Sequence, residues 1–413
     1  MQESPAGYEL LSVLAWLAPD RIPKAELLEA GAANLPEAVR GVLADRDAWN
    51  DLIELVGGRY SLLRRERLDG VVTGYYMHRV VQQVMRERLK EHAAQWLEAA
   101  CDLVSEAFRS YSDEPQYWAA CEKLLPHARA LRERVDAETA PQSVGRMLSQ
   151  ASLYLRVRGL YVEARDFLEL ALASALQQFG PDHPDIAVHR SHLSIILSDL
   201  GEHQVAYEQI ALALASDLRQ FGADHPTVAV HRSNLPGILD NLGEHQAARE
   251  LIELALASDL RQFGSDHPIV ADHRSNLAGI LGNLGEFQAA REQILLALDS
   301  DLRQFGSDHP KVAVHRANLS GILGKLGEFQ PAREQILLAL ASELRQFGPD
   351  HPAVAACRWN LAVILSNVGA YEASLSEIEQ ALEVFRKKLP PEHPYIRQTV
   401  EAREQILAKA KTK

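Results

Sequence analysis

The sequence has few of the features that mark disulfide-linked, membrane-spanning or nucleic-acid-binding proteins. Only three cysteines occur in 413 residues, and Cys101, Cys121 and Cys357 have the spacing of neither a disulfide framework nor a metal site. There is no signal peptide, and no apolar run approaches the ~20 residues that span a bilayer. The formal net charge of −13 argues against general phosphate binding, which requires a basic surface. We therefore expect a cytoplasmic protein with no membrane attachment, for which nucleic acid is not the expected ligand.

Sequence motifs of nucleotide-dependent and hydrolytic enzymes are also missing. A P-loop requires Gly-x-x-x-x-Gly-Lys followed by Ser or Thr, whereas Gly324-Lys325 is followed by Leu326 and lacks the upstream glycine. Gly-x-Ser-x-Gly, His-Glu-x-x-His and Cys-x-x-Cys do not occur either. The sequence therefore predicts no enzymatic activity, no catalytic residue, no metal and no cofactor.

What the sequence does contain is a repeat of 42 residues, most regular from His225 to Asp266. A His-Pro pair recurs at this interval, in step with ladders of glycine, alanine and phenylalanine. The histidines of the pairs are His183, His225, His267, His309, His351 and His393. A fixed period of this length is typical of a stacked array of helical repeats.

Each repeat reads as two helices separated by glycine breaks. Asp224 and His225 can cap a first helix, called helix A, and Pro226 fits its first position, where a missing N–H carries no penalty. Gly243 can end helix A by adopting a positive φ angle. A second helix, helix B, is predicted over residues 245–263. No single repeat can bury its apolar stripe alone, so stacking of neighbours is required.

These residues resemble a known family. The pattern Asn-Leu-x-x-x-Leu, Gly, Ala, Ala resembles the tetratricopeptide repeat, and the 42-residue spacing resembles the long variety found in kinesin light chains. The repeats are also similar to those of bacterial signalling NTPases of the STAND class, where Arg-Asn-Asn-Leu-Ala is usual. Arg232, Asn234 and Leu235 match that stretch, and Ser233 replaces its first Asn. The resemblance covers residues 144–413 and implies an all-α superhelical solenoid that binds a protein or peptide.

Residues 1–92 are predicted to form a winged-helix-like domain that precedes a helical connector over residues 93–143. The hydrophobic pattern predicts helices over 8–17, 23–31 and 35–56, strands over 59–63 and 71–77 that turn at Asp69-Gly70, and a helix from His78. Leu14 to Asp20, Tyr60 to Leu63 and His78 to Gln82 resemble the winged-helix segment of bacterial NB-ARC proteins. Basic residues here could contact DNA or stay solvated, and solvation is favoured. They are Arg64, Arg65, Arg67, Arg79, Arg86, Arg88 and Lys90.

The resemblance places the ligand on the concave face, which helix A lines. The residues that it points to are Ser191, His192, Ser233, Asn234, Gly237, Ser275, Asn276, Gly279, Asn318, Gly321, Trp359 and Asn360. Asp272 is added as a specificity candidate, because the otherwise similar repeats hold Val230 and Val314 at its position. Amide side chains can donate to and accept from the backbone of an extended peptide, and glycines leave room for it. The alternative is that these Asn side chains bond neighbouring helices within the stack. A metal bound by the histidine ladder is not favoured, because matched positions of stacked helices lie roughly 10 Å apart.

Three functions remain open from the sequence. The first is the sensor module of a bacterial STAND-type signalling or defence protein, whose NTPase module lies outside this sequence. The chain is then a fragment, the product of a split gene, or the partner of a separate NTPase. The second is a stand-alone adaptor that gathers protein partners. The third, less favoured, is a DNA-binding regulator that uses the winged helix.

Overall fold

A computed structural model describes residues 4–19, 21–109, 115–137, 140–222 and 225–411. The chain divides into two compact units, one of Met1–Val157 with Glu163–His189 and the other of Arg158–Val162 with Arg190–Lys413. The three-part division predicted from the sequence stays a prediction. The expected cap Asp224 and the motif residue Asp20 lie outside the described residues.

The first unit begins with short helices around a small antiparallel sheet. In chain order its elements are α1 (Pro5–Leu14), β1 (Ile22–Pro23), a π-helical turn (Lys24–Glu29), a 3-10 turn (Ala32–Asn34), α2 (Glu37–Leu43), α3 (Arg46–Ile53), a second π-helical turn (Glu54–Arg59), β2 (Arg64–Leu68), β3 (Val71–Tyr76), α4 (Arg79–Arg88) and a 3-10 turn (Lys90–His92). The predicted helical region 35–56 is split at Asp45, whose carboxylate accepts hydrogen bonds from the first turn of α3.

The sheet has the strand order β1-β3-β2, and all of its pairs are antiparallel. Asp69 and Gly70 connect β2 to β3 with φ angles of 49° and 82°, as a two-residue hairpin turn requires. The hairpin is therefore confirmed, but the first predicted strand, over 59–63, was wrong. The true strand β2 carries charged and largely exposed side chains, so hydrophobic patterning could not find it, and its pairing to β3 defines it instead.

The rest of the first unit is helical: α5 (Ala93–Arg109), a 3-10 turn (Pro115–Tyr117), α6 (Trp118–Arg132), α7 (Gln142–Val157) and most of α8 (Tyr161–Phe179). Long-range hydrogen bonds tie the early segments together. The Trp49 indole donates to the Tyr75 hydroxyl at 2.7 Å, and the buried Gln82 amide donates to the carbonyls of Leu14 and Leu17. These bonds satisfy polar groups that burial would otherwise leave without partners.

The second unit holds most of the repeat array. Its helices are the larger part of α9 (Pro184–Asp199), then α10 (His203–Phe221), α11 (Pro226–Asn241), α12 (His245–Phe263), α13 (Pro268–Asn283), α14 (Phe287–Phe305), α15 (Pro310–Lys325), α16 (Phe329–Phe347), α17 (Pro352–Asn367), α18 (Tyr371–Lys388) and α19 (Pro394–Lys411). From α9 onward, odd-numbered helices are helix A of a repeat and even-numbered ones helix B. The all-α solenoid with a small hairpin, predicted from the sequence, is confirmed.

The His-Pro ladder caps helix A in the way that the sequence predicts. In α11 the Nδ1 atom of His225 accepts a hydrogen bond from the backbone N–H of Thr227, and Pro226 occupies the first helical position. The His225 ring also stacks on Phe221, with 4.4 Å between the ring centroids, and this stacking was not foreseen. Gly243 ends the turn at a φ angle of +86°. The histidine ladder is thus explained by helix capping and packing.

Within the second unit the array coils back on itself. His393 donates from Nε2 to the carbonyl of Asp199 at 3.0 Å, although the two residues are 194 positions apart. Gly201 packs so closely against Pro394 that a Cβ atom there would lie 2.4 Å from the proline ring. About four and a half repeats therefore bring helix α19 back to the turn that follows α9.

None of the described helices combines the length and the apolar character needed to span a membrane.

Candidate functional site: a cavity lined by helix A of the last repeats

The coil of the second unit encloses a cavity of about 760 Å³. Its wall is formed largely by α15, α17 and α19, the helix A elements of the last repeats, and closed by residues around Tyr161 and Asp199. A volume of this size is within the range of roughly 300–1,000 Å³ that is typical of ligand pockets. The cavity is therefore the candidate binding site of this unit.

Three of the residues predicted from the sequence line this cavity: Asn318, Trp359 and Asn360. The other predicted residues lie outside its wall. They are Ser191, His192, Ser233, Asn234, Gly237, Asp272, Ser275, Asn276, Gly279 and Gly321. Asn276 and the three glycines are exposed on helix A. The structure thus brings together only the part of the predicted ladder that lies in the last two full repeats, and ligand binding by the whole set stays a prediction.

Several predicted residues make hydrogen bonds within the stack. The Asn234 amide donates to the Ser191 hydroxyl at 3.2 Å. Two repeats further along the array, the Asn318 amide donates to the Ser275 hydroxyl at the same distance. The Ser233 hydroxyl donates to the carbonyl of Ala229 in its own helix. For Asn234 and Asn318, the alternative that these amides connect neighbouring helices is therefore observed.

The cavity also contains polar atoms for which sequence reasoning gave no signal. Trp359 has a fully buried Nε1–H, and no described residue accepts its hydrogen bond. Glu343, on α16, is only 3% exposed, and its Oε2 atom has no hydrogen-bond partner in the part of the chain that the structure describes. A buried polar atom without a partner is unfavourable by about 1–3 kcal/mol, so a ligand that hydrogen-bonded to either atom would remove this cost.

Burial sets the protonation of the groups around the cavity. Desolvation raises the pKa of Glu343 to about 7, and it raises the pKa of the Cys357 thiol to about 12, with a smaller contribution from the charge of Glu343. Burial lowers the pKa of His393, whose Nδ1 accepts from the Tyr395 N–H while Nε2 donates to Asp199. His393 is thus held in its neutral form.

Buried histidines form a second polar feature of the array. Helix B carries an acidic residue that faces a histidine of the next helix A in three successive repeats. The pairs are His231 with Asp217 at 3.2 Å, His273 with Asp259 at 2.9 Å and His315 with Asp301 at 3.1 Å. These three histidines are not those of the His-Pro pairs but recur with the same 42-residue period. Their pairing with the aspartates was not predicted, although the aspartates recur with that period too.

One of these pairs, together with Asp272, has the composition of a possible cation site. Asp272, Asp301 and His315 offer oxygen and nitrogen atoms within 4.8 Å of one another. The two ring nitrogens of His315 already contact Ser275 and Asp301, and the Asp272 carboxylate binds the Lys311 ammonium at 2.8 Å. Protein groups therefore occupy both nitrogens of His315 and one oxygen of each aspartate, while Asp301 Oδ1 has no partner among the described residues. Asp272 was singled out from the sequence, because the matching positions of the neighbouring repeats hold Val230 and Val314.

The basic residues of the hairpin and of α4 are partly engaged within the first unit. Arg65 pairs with Glu54 at 3.0 Å, Lys90 pairs with Glu87 at 3.0 Å, and Arg86 donates to the carbonyl of Ala15. These contacts agree with a largely solvated or internally paired set of charges, and the predicted winged-helix relationship stays a prediction.

Comparison with known proteins identifies the repeats. One tetratricopeptide-repeat family model matches residues 143–215, and a second matches residues 270–311 and 354–395. No curated protein sequence matches the chain.

Solved structures give the fold. NprR in complex with its cognate peptide NprX is 14% identical, with a TM-score of 0.54, over 88% of this chain and 99% of that one. A Rap protein complexed with Competence and Sporulation Factor is 10% identical, with a TM-score of 0.52, over 90% and 98%. A putative kinesin light chain from Podosopora anserina is 22% identical, with a TM-score of 0.39, over 50% and 97%. The matched segments of the present chain are tetratricopeptide repeats, as the sequence predicts.

Proposed function

We propose that this protein is a non-catalytic recognition module that binds a peptide or a protein segment in the cavity of its second unit. The carrying observation is that Asn318, Trp359 and Asn360, all predicted from the sequence to meet a ligand, line one 760 Å³ cavity. The amides offer both donors and acceptors to a peptide backbone, and the Trp359 ring offers apolar area. The fold similarity to NprR, which was solved with its cognate peptide, agrees with this proposal.

The test is a selection of phage-displayed random peptides on the full chain, followed by affinity measurements with single variants. Asn360→Ala is the best test. Its side chain lines the cavity and makes no hydrogen bond among those described within the protein, so the substitution removes ligand contacts without removing such a bond. Loss of its hydrogen bonds to a peptide should weaken binding by about 1–3 kcal/mol, or roughly 5- to 150-fold. Gln246→Ala, on the exposed face of α12, serves as the control and should leave the affinity unchanged.

A further variant separates two modes of binding. Asn276 is equivalent to Asn318 and Asn360 in the repeat but lies outside the cavity wall. If Asn276→Ala weakens binding as much as Asn360→Ala, the peptide runs along the whole row of helix A and the cavity is not the principal site. If no selected peptide responds to Asn360→Ala or Trp359→Phe, peptide recognition by this cavity is refuted.

We propose further that binding is relayed to an NTPase module, since the repeats resemble those of STAND-class signalling proteins. The sequence of 413 residues contains no P-loop, so the NTPase would be supplied by another part of the polypeptide or by another protein. The second candidate, equally consistent with the repeats, is an adaptor that connects protein partners without nucleotide. Affinity capture with the full chain, with and without ATP, distinguishes them: nucleotide-dependent recovery of an NTPase supports the sensor, and nucleotide-independent partners support the adaptor.

A further inference from the structure

The acidic residue of helix B behaves differently in the repeat that borders the cavity. In three repeats it is an aspartate that faces a buried histidine, as in the pair of Asp301 and His315. One repeat further, the matching positions hold Glu343 and Cys357. The carboxylate is kept, but the histidine that would face it is replaced by a thiol. A thiol is never cationic, so it cannot supply the positive charge of a protonated histidine, and burial raises its pKa so that it stays neutral.

The consequence is a buried carboxylate in the cavity wall that has no histidine beside it and one oxygen without a partner. Glu343 lines the cavity, is 3% exposed, and keeps Oε2 without a partner among the residues that the structure describes. In the neighbouring repeat, Asp301 is equally buried and its Oδ1 atom also has no partner among the described residues, but Asp301 lies outside the cavity wall and its Oδ2 atom contacts His315. The histidine is therefore missing at the one position of this ladder where the carboxylate borders the candidate binding site.

A carboxylate in such a place favours a particular type of ligand group. Burying an ionised carboxylate without a counter-charge is unfavourable, and a cation with N–H donors removes that penalty and gains charge-assisted hydrogen bonds. The net charge of −13 on the chain also favours association with basic partners over acidic ones. Trp359 lines the same cavity and provides an aromatic surface on which the apolar stem of a long basic side chain can pack.

We propose that Glu343 determines specificity by binding a lysine or arginine side chain of the peptide ligand in this cavity. This inference rests on the proposed function, since it names one residue of the ligand that the cavity recognises. Without the histidine, no imidazole competes with the basic side chain for the carboxylate. The repeat with the Glu343–Cys357 pair then binds the ligand, whereas the three repeats in which a histidine faces the carboxylate do not use that carboxylate for binding.

The experiment uses the peptides selected on the full chain at pH 8, where the Glu343 carboxylate is largely ionised. We expect them to share a lysine or arginine at a fixed position. Glu343→Gln keeps the size of the side chain and removes its charge, and it should weaken their binding at least about 30-fold, as expected for loss of one partner of a buried ion pair. Glu334→Gln, on the exposed face of the same helix, removes an equal charge and should change the affinity less than about fivefold.

Cys357→His is the reciprocal variant, because it restores the histidine of the other repeats. A histidine facing Glu343 should occupy the carboxylate and weaken the same peptides, while circular dichroism confirms that the fold is kept. Replacement of the basic residue in the peptide by norleucine should abolish the difference between the native chain and Glu343→Gln. Acetylation of the peptide amino terminus should have no effect.

The results separate this inference from the proposed function. If Asn360→Ala weakens the peptides but Glu343→Gln does not, the cavity binds peptides and Glu343 plays no part. Selected peptides without a shared basic residue, or a loss of binding on acetylation alone, would equally overturn the assignment of a basic side chain. If neither variant affects any peptide, the proposed function itself fails and takes this inference with it.

Discussion

His127 in the first unit should make that unit sensitive to mild acid. Its side chain is fully buried on α6, and burial lowers its pKa from 6.5 to about 4. The Nε2 atom lies 3.0 Å from the carbonyl of Arg21 and must donate to it, whereas Nδ1 is buried with no partner in the described ranges. A second proton on Nδ1 would therefore be buried without an acceptor, so the folded unit strongly prefers the neutral ring.

The size of the effect follows from the two pKa values. The unfolded chain takes up the proton near pH 6.5, while the folded unit resists it down to about pH 4. Stability from His127 is therefore complete above pH 6.5 and is lost as the pH falls towards 4. Since each tenfold difference in proton affinity corresponds to about 1.4 kcal/mol, the full contribution is about 3 kcal/mol, of which about 2 kcal/mol is lost between pH 7 and pH 5.

Urea unfolding followed by tryptophan fluorescence measures this effect in the right unit. Four of the five tryptophans lie in the first unit, so a Trp359→Phe background removes the signal of the second. His127→Gln retains an N–H donor for the Arg21 carbonyl and cannot take up a proton. We expect the native background to lose about 2 kcal/mol more free energy of unfolding from pH 7 to pH 5 than His127→Gln does.

The control is His92→Gln, which removes an exposed histidine of the same unit and should leave the pH dependence of the background unchanged. Comparison of the change with pH, rather than of stability at one pH, removes any loss of packing that the substitution itself causes. Equal loss of stability in the background and in His127→Gln would refute the reasoning. It would mean that the folded unit takes up a proton on the His127 ring as readily as the unfolded chain does.

Two further predictions concern the repeat array. Gly279 lies within helix α13 and Gly285 follows it at a φ angle of +82°, and a Cβ atom would meet open space at both. Gly279→Ala should therefore raise the free energy of unfolding by about 0.5–1 kcal/mol, whereas Gly285→Ala should lower it by about 1–2 kcal/mol, because only the second places a Cβ in the left-handed region. Urea titration checks both, and changes of the same sign would contradict the assignment. Burial raises the pKa of Cys357 to about 12, so its alkylation by iodoacetamide at pH 8 should be roughly 1,000-fold slower in the native chain than in urea. Mass spectrometry follows the alkylation. Similar rates in the two conditions would show that the thiol is accessible and ionised in the native chain.

Local chemistry made the repeat boundaries predictable from the sequence. A histidine that can cap, a proline that fits the first helical position and a glycine that accepts positive φ recur every 42 residues, and they fix where helix A begins and ends. Helix B was predicted over 245–263, and α12 has those bounds. Such signals depend on neighbours along the chain, so a single sequence contains them in full.

The N-terminal strands show where this local logic failed. The strand β2 consists of Arg64, Arg65, Glu66, Arg67 and Leu68, and its polar side chains give no periodic signal. Its position is decided by pairing with β3 across the Asp69-Gly70 turn. Likewise β1, only two residues long, exists because Ile22 and Pro23 pair with Tyr75 and Gly74, about 50 positions away. Contacts of this kind are properties of the folded chain.

The sequence by itself determined that the chain forms capped helix pairs in a regular array, and it named thirteen residues of helix A as ligand contacts. It could not determine which of them meet in one place, because that depends on how strongly the array coils. Only the tertiary structure brought His393 to Asp199 and closed a cavity around Asn318, Trp359 and Asn360. It also showed that Glu343 is a buried carboxylate whose Oε2 atom has no partner in the described structure, which only the distances in the folded chain can reveal.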